Sequence, residues 1–346
     1  MRPLLLLSVF VGLLAGTAAC ASVKVVTTLP DYADIARAIG GDQVEVTAIV
    51  RGDQDAHFIR PKPSFAQALR KADLLVSTGL DLELWLQTVI DNAGNRRIRS
   101  GQEGYVAAAT GMDLLEKPHN FSRSEGGVHV YGNPHITTSP INMKVAARNI
   151  AQGLIKVDPE HRVAYEENLK IWLDAVDRRL FGNELGALLG GDELCELARK
   201  DQLISFLQTQ QVQGEPLINQ LGGWMKKMKP LRGQSIVTYH KNWIYFVKLF
   251  GLQEAGTVEP KPGIPPSPRH VTGLIQKMKT EKLGIILAAN YFDQQKIQVV
   301  ASRTGAKAVI VPLYVGGTKG VDDYFALVDY WIDQLLDAAH AQGMVP

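Results

Sequence analysis

Three histidines stand where a chain could bring imidazoles together: His57 in "GDQDAHFIRPKPS", His135 in "YGNPHI" and His240 in "SIVTYHKNW". Neutral imidazole is the commonest protein ligand for transition metals, and three of them suit Zn²⁺. Such ligands must be unprotonated, so metal affinity should fall below about pH 6.5, the unperturbed imidazole pKa. Each of the three follows an apolar strand-like run or a loop at the end of one. In a parallel α/β sheet, the loops beyond the carboxyl ends of the strands face the ligand crevice. Of the other histidines, His161, His270 and His340 read as solvated surface residues.

The elements that would position them alternate strand and helix. "VKVVTTLPDYADIARAIGG" reads as a buried strand, a loop and an amphipathic helix closed by a glycine pair, and "QVEVTAIV" as a second strand. "PSFAQALRKA" is a helix with Ser64 as a candidate N-cap, "DLLVSTG" a strand, "LELWLQTVIDNA" a helix and "GYVAAAT" a fourth strand. A helical region from Ser139-Pro140 breaks at Asp158-Pro159 and resumes long enough to bridge two domains. Residues 182–229 read as short helices between glycine pairs, with no clear strand. The β/α pattern then returns through "QSIVTYH", "LQEAGTVE", "LGIILAAN" and "AKAVIVP", with helices at 269–281, at 293–304 and from Asp322.

This predicts an α/β fold of two (β/α) lobes with central parallel sheets, joined by a long rigid linker helix, with the ligand in the cleft between them. The expected organisation is a signal peptide at 1–21, a first lobe at 22–138, a helical region at 139–181, a helical insertion at 182–229 and a second lobe at 230–346. The first residues, "MRPLLLLSVFVGLLAGTAACASVK", form a secretory signal, so the chain is expected in the periplasm or otherwise outside the cytoplasm. Two processing routes stay open: cleavage before Ser22, or lipidation of Cys20 as the first mature residue. The other cysteine, Cys195, has no partner for an internal disulfide and reads as a small buried residue.

Net charge is +2 with Lys and Arg scattered, which argues against a nucleic-acid partner. No phosphate-binding G-x-x-x-x-G-K-[ST], no G-x-S-x-G elbow and no H-E-x-x-H is present. Trp85, Trp172, Trp224 and Trp243 fall beside apolar helix residues and read as core.

As a set, several stretches resemble the metal-binding solute-binding proteins of zinc and manganese ABC importers, of the cluster A-I type. They are "VVTTLPDYADIARAIGGDQVEVTAIVRGDQDAHFIRPKPS", "KADLLVSTGLDLELWL", "NPHI", "VDPEHRVAYEENLKIWLDAV", "IVTYHKNWIYFVKLFGL" and "ASRTGAKAVIVPL". The resemblance places the family's D-P-H motif on Asp55-Ala56-His57, its P-H on Pro134-His135 and its T-Y-H on Thr238-Tyr239-His240. It implies capture of a divalent cation by His57, His135 and His240 in a monomer that delivers to a membrane permease, without catalysis. Pro61 and Pro63 would keep the His57 loop from wandering.

The family's second-lobe carboxylate is missing, because its two customary positions hold Ala289 and Val311. Water, Asn290, Tyr291 or Asp293 could complete the shell. An imidazole-only set favours zinc over manganese, which prefers oxygen. His119 and His129 in the glycine-rich loop read either as metal-recruiting residues or as ordinary loop residues. Two alternatives stand beside capture of a bare ion: a three-histidine zinc hydrolase, and a binding protein for a metal chelate or small organic ligand.

Overall fold

The computed structural model describes residues 22–117, 129–260 and 263–345. The expected signal peptide with Cys20, and His119, lie outside the described residues.

The first lobe is built from β1 (Val23–Thr27), α1 (Pro30–Gly40), β2 (Val44–Ala48), α2 (Pro63–Lys71), β3 (Leu74–Ser77), α3 (Leu86–Ala93) and β4 (Tyr105–Ala107). Its sheet runs β2-β1-β3-β4, with every pair parallel. Helices cover both faces, which is why β3, "LLVS", is buried at all four positions instead of alternating. Register places Thr27 beside Ala48 and Val76, and Ser77 beside Ala107, so the strands end nearly level. Their carboxyl-end loops therefore open along one edge.

α4 (Pro140–Val157) packs on β3, β4 and α1 of this lobe. Pro159 cannot donate to a continuing helix, and the chain makes a 3₁₀ turn at Pro159–His161 before α5 (Arg162–Phe181). α5 then spans the molecule, touching α1 on one side and α9 (Gly223–Met228) on the other. Between them come α6 (Asn183–Leu189), α7 (Gly191–Arg199), α8 (Leu203–Thr209) and a short antiparallel ribbon of β5 (Gln211–Val212) and β6 (Glu215–Pro216). That ribbon is the strand pair the sequence did not announce; at two residues a side it has no alternation to read.

The 182–229 segment is tied into the body of the protein. Lys144 of α4, only 2% exposed, reaches Asp177 of α5 at 2.6 Å and Asp192 of α7 at 2.8 Å. Trp224 of α9 donates to Asp329 at 2.7 Å. Cys195 is buried beside Lys144, and burial above all pushes its thiol up to about 12, which leaves it an inert core residue.

The second lobe repeats the plan: β7 (Ser235–Thr238), α10 (Ile244–Phe250), β8 (Gln253–Thr257), α11 (Pro268–Glu281), β9 (Ile285–Ala289), α12 (Gln294–Thr304), β10 (Lys307–Val311) and α13 (Tyr324–Ala341). Its parallel sheet runs β10-β9-β7-β8. Two local readings need correction. Lys62, not Ser64, is the N-cap of α2, because Pro63 occupies the first helical turn, where its missing N–H costs nothing. Asp293, offered as a ligand, caps α12 by accepting from the backbone N–H of Gln295 and Lys296.

Candidate metal centre

Four imidazoles meet at the carboxyl ends of the strands. His57 follows β2, His135 precedes α4, and His240 directly follows β7. The fourth is His129, from the loop after β4. Ring centroids lie 5.1 Å apart for His57–His135, 5.2 Å for His57–His129, 5.9 Å for His135–His240 and 6.3 Å for His57–His240. The three expected residues are therefore gathered, and His129, read from the sequence as a metal-recruiting or an ordinary loop residue, joins them. His57, His129 and His135 form the tighter group, with one nitrogen of each within 4.8 Å of the others.

Two of the rings are aimed by the same local device. Asp55 Oδ1 accepts from the His57 backbone N–H at 3.0 Å and lies 2.7 Å from its Nδ1. Asn133 Oδ1 accepts from the His135 backbone N–H at 3.0 Å and lies 2.8 Å from its Nδ1. An oxygen two residues upstream thus captures backbone and ring together. It occupies Nδ1 and turns Nε2 toward the other rings, the arrangement metal-ligating histidines use. His129 is braced from a distance: Asp81, in the loop after β3, is 2.9 Å from its Nδ1 and accepts from the Val130 N–H at 2.9 Å.

The loop carrying His57 has a further anchor. Trp85 donates its indole N–H to the Ala56 carbonyl at 2.7 Å, so this core tryptophan also holds the His57 loop in place.

The Nε2 atoms of His57 and His129 face each other. His57 Nε2 and His129 Nε2 are 3.2 Å apart, close to the edge of a tetrahedron with Zn–N bonds of about 2.05 Å, roughly 3.3 Å. His135 Nε2 is buried with no hydrogen-bond partner in the described structure. Burial first, then the charges of His57, His240 and His129, holds His135 well below the usual imidazole range. His240 is pushed down to about 3, by burial and then by His57. These two rings are kept neutral, so proton competition at them sets in below the ordinary pH 6.5 threshold.

Around them, Asp55 and Asp81 stay ionised: burial works to raise both carboxyls, but His57 and His129 outweigh it and hold them low. They supply the negative charge that a cation among neutral imidazoles requires. Removing one brace while keeping its ring is expected to cost about 10- to 100-fold in metal affinity. Zinc titration of Asp55→Ala checks this, and an unchanged affinity counts against the aiming role.

Ala289 and Val311 end β9 and β10 fully buried and offer no donor. Asn290 donates to the Gly317 carbonyl, and Tyr291 OH accepts from Asn242. The second lobe's nearest carboxylate is Glu259, after β8, whose Oε1 is 3.5 Å from His240 Nδ1. Burial raises its carboxyl.

Two parallel α/β lobes closing on a cluster of aimed imidazoles define a bilobal binding protein for a metal cation. The chain belongs to the family described as ZnuA, zinc-uptake complex component A, periplasmic, which matches residues 25–179 and 215–338. It is similar to the manganese ABC transporter substrate-binding lipoprotein PsaA of Streptococcus pneumoniae, 24% identical with 96% of each chain covered. It is also similar to the iron ABC transporter substrate-binding lipoprotein MtsA of Streptococcus pyogenes serotype M1, 23% identical over 92% of this chain and 89% of that one. Among solved structures, a zinc-bound ZnuA lacking its residues 138–173 superposes with a TM-score of 0.67 at 22% identity, covering 92% of this chain and 98% of that one.

The chain is thus a substrate-binding protein of metal ABC transporters, a transport protein and not an enzyme, and it works outside the cytoplasmic membrane. Among the described residues no helix is long and apolar enough to cross a membrane.

Proposed function

We propose that this protein captures zinc between its lobes through His57, His135 and His240 and hands it to an ABC permease. The observation that carries the reading is the donor set. The rings that meet are imidazoles; of the carboxylates beside them, Asp55 and Asp81 are engaged on Nδ1 atoms and backbone N–H groups, and Glu259, on the Nδ1 side of His240, accepts from the Gly263 N–H. Nitrogen donors suit zinc, whereas manganese prefers carboxylate and water. A bare ion is favoured over a chelate or organic ligand by the enclosure: His135 is 2% exposed and His240 4%. Calorimetric titration of the untagged mature protein at neutral pH is expected to give one tight zinc site, with manganese bound at least about 100-fold more weakly. Equal affinity for the two metals overturns the zinc assignment.

A further inference from the structure

The four imidazoles are not shared evenly between the lobes. His57, His129 and His135 all stand on first-lobe loops, and their braces Asp55, Asp81 and Asn133 stand there too. This trio is already assembled, with ligand atoms within 4.8 Å of one another. His240 is the single ring from the second lobe. No oxygen two residues upstream aims it, since Thr238 hydrogen-bonds Glu254 instead, and its buried Nδ1 makes no hydrogen bond, with Glu259 Oε1 standing off at 3.5 Å. Exposure singles out two of the first-lobe rings: the His57 and His129 side chains are 16% and 12% exposed, against 5% for the His240 side chain, while His135 is buried at 2%. A cation arriving from solvent meets the first-lobe pair first.

We propose that the cation is taken up on the first lobe alone, by His57, His129 and His135, and that His240 is the last ligand to engage. This rests on the metal-capture reading above and adds to it a fourth ligand and an order of events. His129 then supplies the donor absent at Ala289 and Val311, and the complete site is four nitrogens in the tetrahedral number zinc favours. Because three rings are aimed before metal arrives, capture needs little reorganisation. Recruiting the fourth ring from the other lobe couples retention of the ion to contact between lobes, through its differential affinity for the two arrangements.

Stopped-flow and equilibrium zinc binding to the full mature chain test the order, comparing wild type with His129→Ala, His129→Gln and His240→Ala. Both His129 variants are expected to bind zinc about 100-fold more weakly and to associate more slowly. His240→Ala is expected to associate at a rate within about threefold of wild type and to lose affinity through faster dissociation. Wild-type affinity in the two His129 variants overturns the proposal, as does His240→Ala slowing association as much as His129→Ala. Circular dichroism melts check that each variant folds, and the glutamine variant preserves volume should alanine destabilise the loop. Failure of the wild-type protein to bind zinc sinks the capture reading itself, a separate result.

Discussion

Replacing His135 with alanine is expected to weaken zinc binding by about 100- to 1,000-fold while leaving the metal-free protein folded. The magnitude follows from structural zinc sites, whose binding free energy of about 10–16 kcal/mol is spread over four ligands, roughly 2.5–4 kcal/mol each. His135 is the sharpest position for the test. It is 2% exposed, its ring is aimed by Asn133, and its Nε2 makes no hydrogen bond to the protein. Its one unspent atom faces the other imidazoles, so truncation removes a donor without leaving a charge behind. His57 is less clean, because its loss would leave the Asp55 carboxylate without the ring that holds it low. The measurement is a pair of melts and titrations: the metal-free melting temperature should move little, and the rise that zinc gives wild type should largely vanish. Undiminished affinity would mean the ion sits elsewhere.

The contrast between His135 and His129 shows how far the site could be read from the sequence. Asp55-Ala56-His57 and Asn133-Pro134-His135 are local patterns, an oxygen-bearing side chain two positions before the ring, and so both rings and their orientation are written in adjacent residues. His129 has no such neighbour. Its brace is Asp81, 48 residues earlier, and only the level strand ends of β3 and β4 bring the two loops together. A usable signal existed: Asp81 also follows a strand, on the same edge as the recognised histidines.

Asp293 failed in the opposite way. It was one of several options for completing the shell, yet an aspartate directly before "QQKIQVV" is equally an N-cap, and the cap is what forms. The lobes themselves were legible because parallel strands buried on both faces produce continuous apolar runs between helical segments. The β5–β6 ribbon was not, being too short for any period.

Contact between the lobes also depends on a residue with no chemistry of its own. Gly52, buried in the turn after β2, lies against the second-lobe loop after β10. A Cβ added there would come within 2.3 Å of the Gly317 nitrogen and of the Val315 carbonyl oxygen. The reverse holds too, since a Cβ on Gly317 would meet the Gly52 carbonyl at 2.4 Å. These are backbone atoms and cannot swing aside. The seam continues nearby, where Asp34 of α1 accepts from the Tyr324 backbone N–H at 3.0 Å and Tyr324 OH donates to the Thr137 carbonyl at 2.8 Å.

Gly52→Ala should therefore wedge the lobes apart while leaving His57, with its Asp55 and Trp85 anchors, intact on the first lobe. Overpacking of this kind costs about 1–3 kcal/mol, so zinc should dissociate roughly 5- to 150-fold faster, with association little changed. Gly317→Ala should do the same. Since both substitutions wedge one contact, the double variant should cost much less than the sum of the two. Zinc release rates, together with small-angle scattering of the loaded protein, check the effect. A wild-type release rate in Gly52→Ala would show that the ion is retained by the first lobe without the second.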